Sequence, residues 1–306
     1  MLKNISGIYE SSRKFPYEQY LITSFPFFAI LFMNGFNISF YSLFLLAPFI
    51  TVMAGLFMYN TICDAPQDPE FKNPITRGDV SEKTVKLSMW ACVVLSIFLV
   101  LLLYKSYVSD IIFILYLFLS FSYSGLRLRF KETIFGPPVA SFLLFCAAPL
   151  LLLVEFSYFN YSAILLLLGL FIVYFGHEIK HTIIEYDMDK SANCQTFAVV
   201  IGKKNSTIIE YLTLIIGFVL ILMSINLIVS SSLITVVFSL LALIAIISTI
   251  LYGRRNNYDI NKDTFYNDLP YITTKILYIG YACLILNIPE LIIFFIIWIL
   301  FTDKYL

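Results

Sequence analysis

Long apolar runs separated by short polar loops set the architecture of this chain. The runs lie near 19–38, 41–59, 84–104, 108–123, 134–154, 161–184, 207–229 and 231–252. About 18 or more apolar residues suffice to cross ~30 Å of hydrocarbon as a helix. The stretch 270–302 is apolar for 33 residues, too long for one crossing at about 1.5 Å per residue. Asn287 and Pro289 supply a turn there, giving a ninth span and a short tenth. The pattern predicts an all-α polytopic membrane bundle of nine or ten transmembrane helices. It forms a single domain over 1–306, with polar loops at 60–83, 122–132 and 177–204.

Composition agrees with that pattern. The chain is 60% hydrophobic and 13% charged, against about half and a quarter in soluble domains. Its formal net charge is zero, so no basic footprint argues for nucleic acid. The five cysteines are scattered and never form CxxC, which reads as apolar filler rather than a zinc or disulfide framework. Residues 1–20 lack the short apolar region and small-residue cleavage site of a signal peptide. With these spans, 17 of the 20 Lys and Arg fall in loops on one side. The positive-inside rule makes that side cytoplasmic, together with the N-terminus and every polar cluster. The expectation is an integral protein of the cell membrane with a site open to the cytoplasm.

Chemistry concentrates in the loop Tyr59–Ser81. Asn60, Asp64 and Asp68 recur every four residues, so on helical turns they share one face. A carboxamide and two carboxylates make a hard oxygen surface suited to Mg²⁺, which takes one or two carboxylates plus a substrate phosphate. Pro66 and Pro69 break the helix, and Lys72 and Arg77 follow. Acids followed by bases suit a metal–diphosphate complex; a solvated inter-span loop accounts for the same charges. A second cluster runs from Gly176 to Gly202, where Glu178, His181, Glu185 and Asp189 again share a helical face. Ionisable residues at membrane depth are costly and face a cavity or one another; a helix emerging into water accounts for Asp187 and Asp189 better than for His181 or Glu185. Between the clusters, Arg127, Arg129 and Lys131 suit either a phosphate clamp or plain loop anchoring.

The same residues admit two other readings. His177-Glu178-Ile179-Lys180-His181 spells HExxH, in which two histidines one turn apart hold Zn²⁺ and the glutamate activates water, as in an intramembrane zinc protease. These are the chain's two histidines, so a third ligand would have to be a carboxylate. Acids near helix ends also suit an ion-coupled transporter.

In motif order along most of its length, the chain resembles the UbiA superfamily of membrane prenyltransferases. Asn60, Asp64 and Asp68 match the NDxxDxxxD motif, with Thr61 at the usual second aspartate. Lys72, Asn73, Pro74, Gly78 and Ser81 stand where the family continues. Tyr123, Ser124, Arg127, Arg129 and Lys131 resemble its middle loop. Glu185 and Asp189 fit the second motif as ExxxD, and Thr196 to Gly202 fit its tail. The resemblance implies transfer of a polyprenyl group from an allylic isoprenyl diphosphate to a lipid or aromatic, quinone-precursor acceptor. It implies Mg²⁺ on Asn60, Asp64 and Asp68 and on Glu185 and Asp189, with the diphosphate held by Lys72, Arg77, Arg127, Arg129 and Lys131. Tyr123 would hydrogen-bond the diphosphate or flank the allylic cation. His181, one turn before Glu185, would either support a metal ligand or serve simply as a hydrogen-bonded helix residue. The tail of the donor would lie among helices open to membrane lipid.

Overall fold

The computed structural model describes residues 2–12, 40–125, 128–228 and 232–256. Its elements are α1 (Leu2–Ser11), α2 (Phe40–Asp64), α3 (Glu82–Leu103), α4 (Tyr107–Ser124), α5 (Gly136–Glu155), α6 (Tyr161–Ile184), α7 (Tyr186–Ser191), α8 (Phe197–Ile201), α9 (Lys203–Ile228) and α10 (Ser232–Asn256). No strand occurs among the described residues. Seven helices, α2 to α6 with α9 and α10, are long and apolar enough to cross a membrane. They coincide with seven of the spans expected from the sequence. The expected first span and the ninth and tenth lie outside the described residues.

Small residues let these helices approach closely, which matters in lipid because apolar burial gives no preference for protein over hydrocarbon. Where α6 crosses α9, a Cβ on Gly217 would stand 2.8 Å from the Val173 backbone nitrogen, and one on Gly169 2.9 Å from the Gly217 carbonyl. Ser162 and Ser224 donate to each other's backbone carbonyls toward the far end of this pair, at 3.2 and 2.8 Å. The α2–α3 pair is pinned by Ser96 Oγ donating to the Pro48 carbonyl at 2.8 Å and Tyr104 Oη to the Leu45 carbonyl at 2.9 Å. In α5, residues Phe142–Cys146 widen to a π turn just before Pro149, whose missing amide removes a rung of the helical ladder.

At the bundle end away from the acidic loops, Glu155 closes the start of α4. Its carboxylate accepts from the backbone amides of Lys105 and Ser106 at 2.7 and 3.0 Å and from Ser109 Oγ at 3.0 Å. A carboxylate at a helix N-terminus satisfies orphan amides and meets the positive end of the dipole. The opposite end gathers the C-termini of α2, α4 and α6 with the N-termini of α3, α5 and α9. That is where the polar loops meet.

Candidate active site

Three chain segments build the polar end. The first is the last turn of α2. Asn60 and Asp64 project from it, and the Asp68 amide donates to the Asp64 carbonyl at 2.8 Å, so the four-residue rhythm continues one turn past the helix. Asn73, 1% exposed, fastens the loop behind it. Its amide donates to Asp68 Oδ2 at 3.2 Å and to the Thr61 carbonyl at 2.9 Å, while its oxygen accepts from the Ile75 amide at 3.0 Å. Gly78 turns the chain at φ +78°, a conformation that favours glycine. Ser81 then caps α3 by accepting from the Thr84 amide.

The second segment, between α4 and α5, supplies the cations. Lys131 Nζ is ion-paired to Asp64 Oδ1 and donates to Asn60 Oδ1 at 3.2 Å; Ser124 Oγ donates to the same Asn60 oxygen at 2.8 Å. Arg129, held in the left-handed region at φ +38°, sets its guanidinium 3.6 Å from Asp64 Oδ1 and 2.8 Å from Glu132 Oε1. Its Nε and Nη2 are buried without a hydrogen-bond partner of good geometry. Lys72, from the first loop, sits 3.5 Å from Asp68.

The third segment is the end of α6. The helix stops at Ile184, Glu185 caps it at φ −86°, ψ 6°, and α7 begins at once. The Asp189 amide still donates to the Glu185 carbonyl at 2.8 Å, so both acids stay one turn apart across the break. Thr196 Oγ1 donates to Asp189 Oδ2 at 2.8 Å, and the Gln195 amide donates to the Glu132 carbonyl at 2.8 Å, joining this segment to the second. Ile179 and Ile183 of α6 pack with Phe197 and Ala198 of α8 in a small apolar cluster beneath.

Electrostatics tie the segments to one place. Burial and then the neighbouring Asp189 charge push Glu185 above the usual carboxylate range, against the opposing pull of Lys72 and Lys131. Asp189 is raised by burial and by Glu132, and lowered by its hydrogen bond from Thr196. Lys131 therefore touches Asp64 of the first motif and is felt by Glu185 of the second. Two carboxylates raised in this way favour a cation between them.

The structure thus brings Asn60, Asp64, Asp68, Lys72, Arg129, Lys131, Glu185 and Asp189 to one end of the bundle. Tyr123 lies there too, half-buried against the main core beside Ser124. Arg127 lies outside the described residues. Arg77 is engaged elsewhere: its nitrogens go to Asp79, Glu10 and the Phe71 carbonyl. The His177 and His181 rings stack edge-on with centroids 5.1 Å apart, and His181 is exposed. Among the described residues no three His, Cys, Asp or Glu side chains form a metal-holding group, so the histidines find no third zinc ligand there. Glu132 and the N-terminal helix were missed from sequence. Glu132 sits directly after Lys131, and its offset of three from Arg129 was a usable signal.

The UbiA prenyltransferase family model matches residues 20–269. No curated protein sequence matches. Solved structures share the fold. A digeranylgeranylglyceryl phosphate synthase structure aligns at TM-score 0.70 and 16% identity, over 95% of this chain and 100% of that one. A UbiA homologue from Archaeoglobus fulgidus bound to GPP and Mg²⁺ aligns at 0.65 and 18%, over 92% and 99%. An apo UbiA homologue from Aeropyrum pernix K1 aligns at 0.66 and 14%, over 87% and 97%. With 250 consecutive residues matched by one family model, the protease and transporter readings give way, and this chain belongs to the UbiA prenyltransferase family.

Proposed function

We propose that this protein transfers a polyprenyl group from an allylic isoprenyl diphosphate to a lipid or aromatic, quinone-precursor acceptor, at a site facing the cytoplasm. The observation that carries the reading is the convergence of Asn60 Oδ1 and Asp64 Oδ1 on one cation, the Lys131 ammonium. Hard oxygens that grip an ammonium also suit Mg²⁺. Among the described residues, Asn60 and Asp64 offer one carboxamide and one carboxylate oxygen toward the same point, a donor set for an ion that takes one or two carboxylates and completes its shell with substrate phosphate and water. Asn60, Asp64 and Asp68 would hold one such ion and Glu185 and Asp189 a second. When bound, Mg²⁺ neutralises the diphosphate and makes it a competent leaving group.

The chain's own residues do the rest. Lys131, beside Asp64 and Asn60, would set its charge against the diphosphate. Arg129 offers its buried Nε, which has no hydrogen-bond partner among the described residues, and a diphosphate oxygen would satisfy it by a charge-assisted bond. Lys72 acts in the same way from the first loop, as does Arg127. Tyr123 would hydrogen-bond the diphosphate or flank the allylic cation. The apolar helices below receive the donor's tail, and the bundle's apolar exterior keeps that tail in contact with lipid. The structural match to a digeranylgeranylglyceryl phosphate synthase favours the lipid acceptor.

The test is to incubate purified protein with Mg²⁺, geranylgeranyl diphosphate and, separately, a glyceryl-phosphate lipid or an aromatic acid, with mass spectrometry of the organic phase. A new species heavier than the acceptor by one prenyl group supports the reading and names the class. Intact donor in every arm, with several donor lengths, overturns it.

A further inference from the structure

We propose that the N-terminal helix α1 clamps the first acidic loop, and that Arg77 is the positioning residue through which it acts. α1 lies against the loop that carries Asp68, Lys72 and Asn73. Gly7 is pressed so closely on Val80 that a Cβ there would stand 2.7 Å from the Val80 Cβ. Ile8 packs on the cluster of Met58, Val80, Val85 and Met89. Ser11 and Ser12 are 1% exposed and close the helix end on the Gly7 and Tyr9 carbonyls.

Polar contacts complete the attachment. Glu10 Oε2 accepts from Arg77 Nη2 at 2.5 Å, Asp79 Oδ2 accepts from Arg77 Nε at 2.5 Å, and Lys3 Nζ lies 3.1 Å from Asp79 Oδ1. The same guanidinium donates through Nη1 to the Phe71 carbonyl at 3.2 Å, and the Arg77 amide donates to the Asn73 carbonyl at 3.0 Å. Arg77 therefore connects α1 to the backbone on both sides of Lys72, and through Asn73 to Asp68. All three guanidinium nitrogens are committed to Asp79, the Phe71 carbonyl and Glu10, which turns Arg77 from a diphosphate ligand into a support of the loop.

Thr61 is the counterpart on α2. Its hydroxyl lies 3.3 Å from the Ser11 carbonyl and 3.0 Å from the Phe57 carbonyl. A hydroxyl donates there; an aspartate would set a carboxylate against two carbonyl oxygens and push α1 away. The threonine at a position where the resemblance expects a carboxylate is thus matched to the docked helix.

The clamp rests on the prenyl-transfer reading for its purpose but not for its detection. Hydrogen exchange on the purified full chain in detergent reads the loop directly, at the turn amides of Arg77, Gly78 and Asp79. The variants Glu10→Ala and Arg77→Ala should each speed exchange there about three- to fivefold, the size of effect expected for an exposed ion-pair network. The double variant should match Arg77→Ala alone, because both act through one link. Gly7→Val, which leaves every charge in place, should do the same, and Thr61→Asp should expose the amides of α1. In turnover assays Glu10→Ala and Gly7→Val should raise the KM for prenyl diphosphate with kcat kept within about twofold, the pattern of a lost positioning contact rather than lost chemistry. Wild-type exchange in Glu10→Ala and Gly7→Val overturns the clamp. So does a KM raised by Arg77→Ala alone, which returns the guanidinium to the diphosphate. Absent turnover in the wild type with the exchange pattern intact defeats the prenyl-transfer reading and leaves the clamp standing.

Discussion

Lys131 and Asp64 are ion-paired in the site, and each has a distinct consequence. Asp64→Asn keeps the shape and removes the charge that would hold a metal; turnover should fall about 10²-fold or more, measured as diphosphate release. Lys131→Met keeps Asp64 but removes its counter-ion. It should weaken donor binding and, by freeing Asp64, lower the Mg²⁺ concentration at half-saturation, a split that separates a diphosphate ligand from a metal ligand. Asn73 predicts an effect on folding. It is buried and makes three hydrogen bonds across the loop, so Asn73→Ala should cost about 1–3 kcal/mol by stranding buried partners, read from thermal unfolding in detergent. At this scale the acids were legible because each stands at a helical repeat. The role of Arg77 was not, because nothing in KNPITRG says which way a guanidinium turns. That depends on Glu10, 67 residues away in sequence.

Helices explain why the acids meet. The α6–α9 crossing depends on Gly169 and Gly217, where added side-chain atoms meet backbone; Gly217→Leu should destabilise the fold by about 1–3 kcal/mol or more through overpacking and displace Glu185 with it. The break after Ile184 gives a pH dependence. Glu185 and Asp189 are both raised, so protonation favours the folded state. Their contribution is fully present below the unfolded carboxylate value of about 4 and is lost as pH rises through the raised folded values. Without divalent cation, the unfolding midpoint should fall across that window, and Mg²⁺ should flatten the fall. A midpoint that rises with pH there would contradict the assignment. The spans themselves were legible in the apolar runs. The break at Glu185 was not, since no Pro or Gly marks it. Nor was α1: its docked face is Gly7, Ile8 and Ser11, while apolar Ile5 and Tyr9 point outward.

The whole molecule is a membrane bundle with its polar chemistry at one end and Glu155 closing a helix at the other. That polarity predicts topology. Single cysteines replacing Lys72 or Arg254 should react with an impermeant thiol reagent from the cytoplasmic side, and one replacing Lys105 from the other. Lys72 and Lys105 labelled from the same side would contradict the bundle's direction. The loops were legible as a set because 17 of 20 basic residues fall on one side of the expected spans. The acceptor was not, because no residue pattern near the acids separates a lipid from an aromatic ring. The most direct measurement is release of diphosphate from labelled geranylgeranyl diphosphate by the purified protein, titrated with Mg²⁺, in the wild type, Asp64→Asn and Asp189→Asn. The account predicts release that requires Mg²⁺ and falls about 10²-fold or more in each variant. Release that persists in EDTA, or near-normal turnover in both variants, would contradict it.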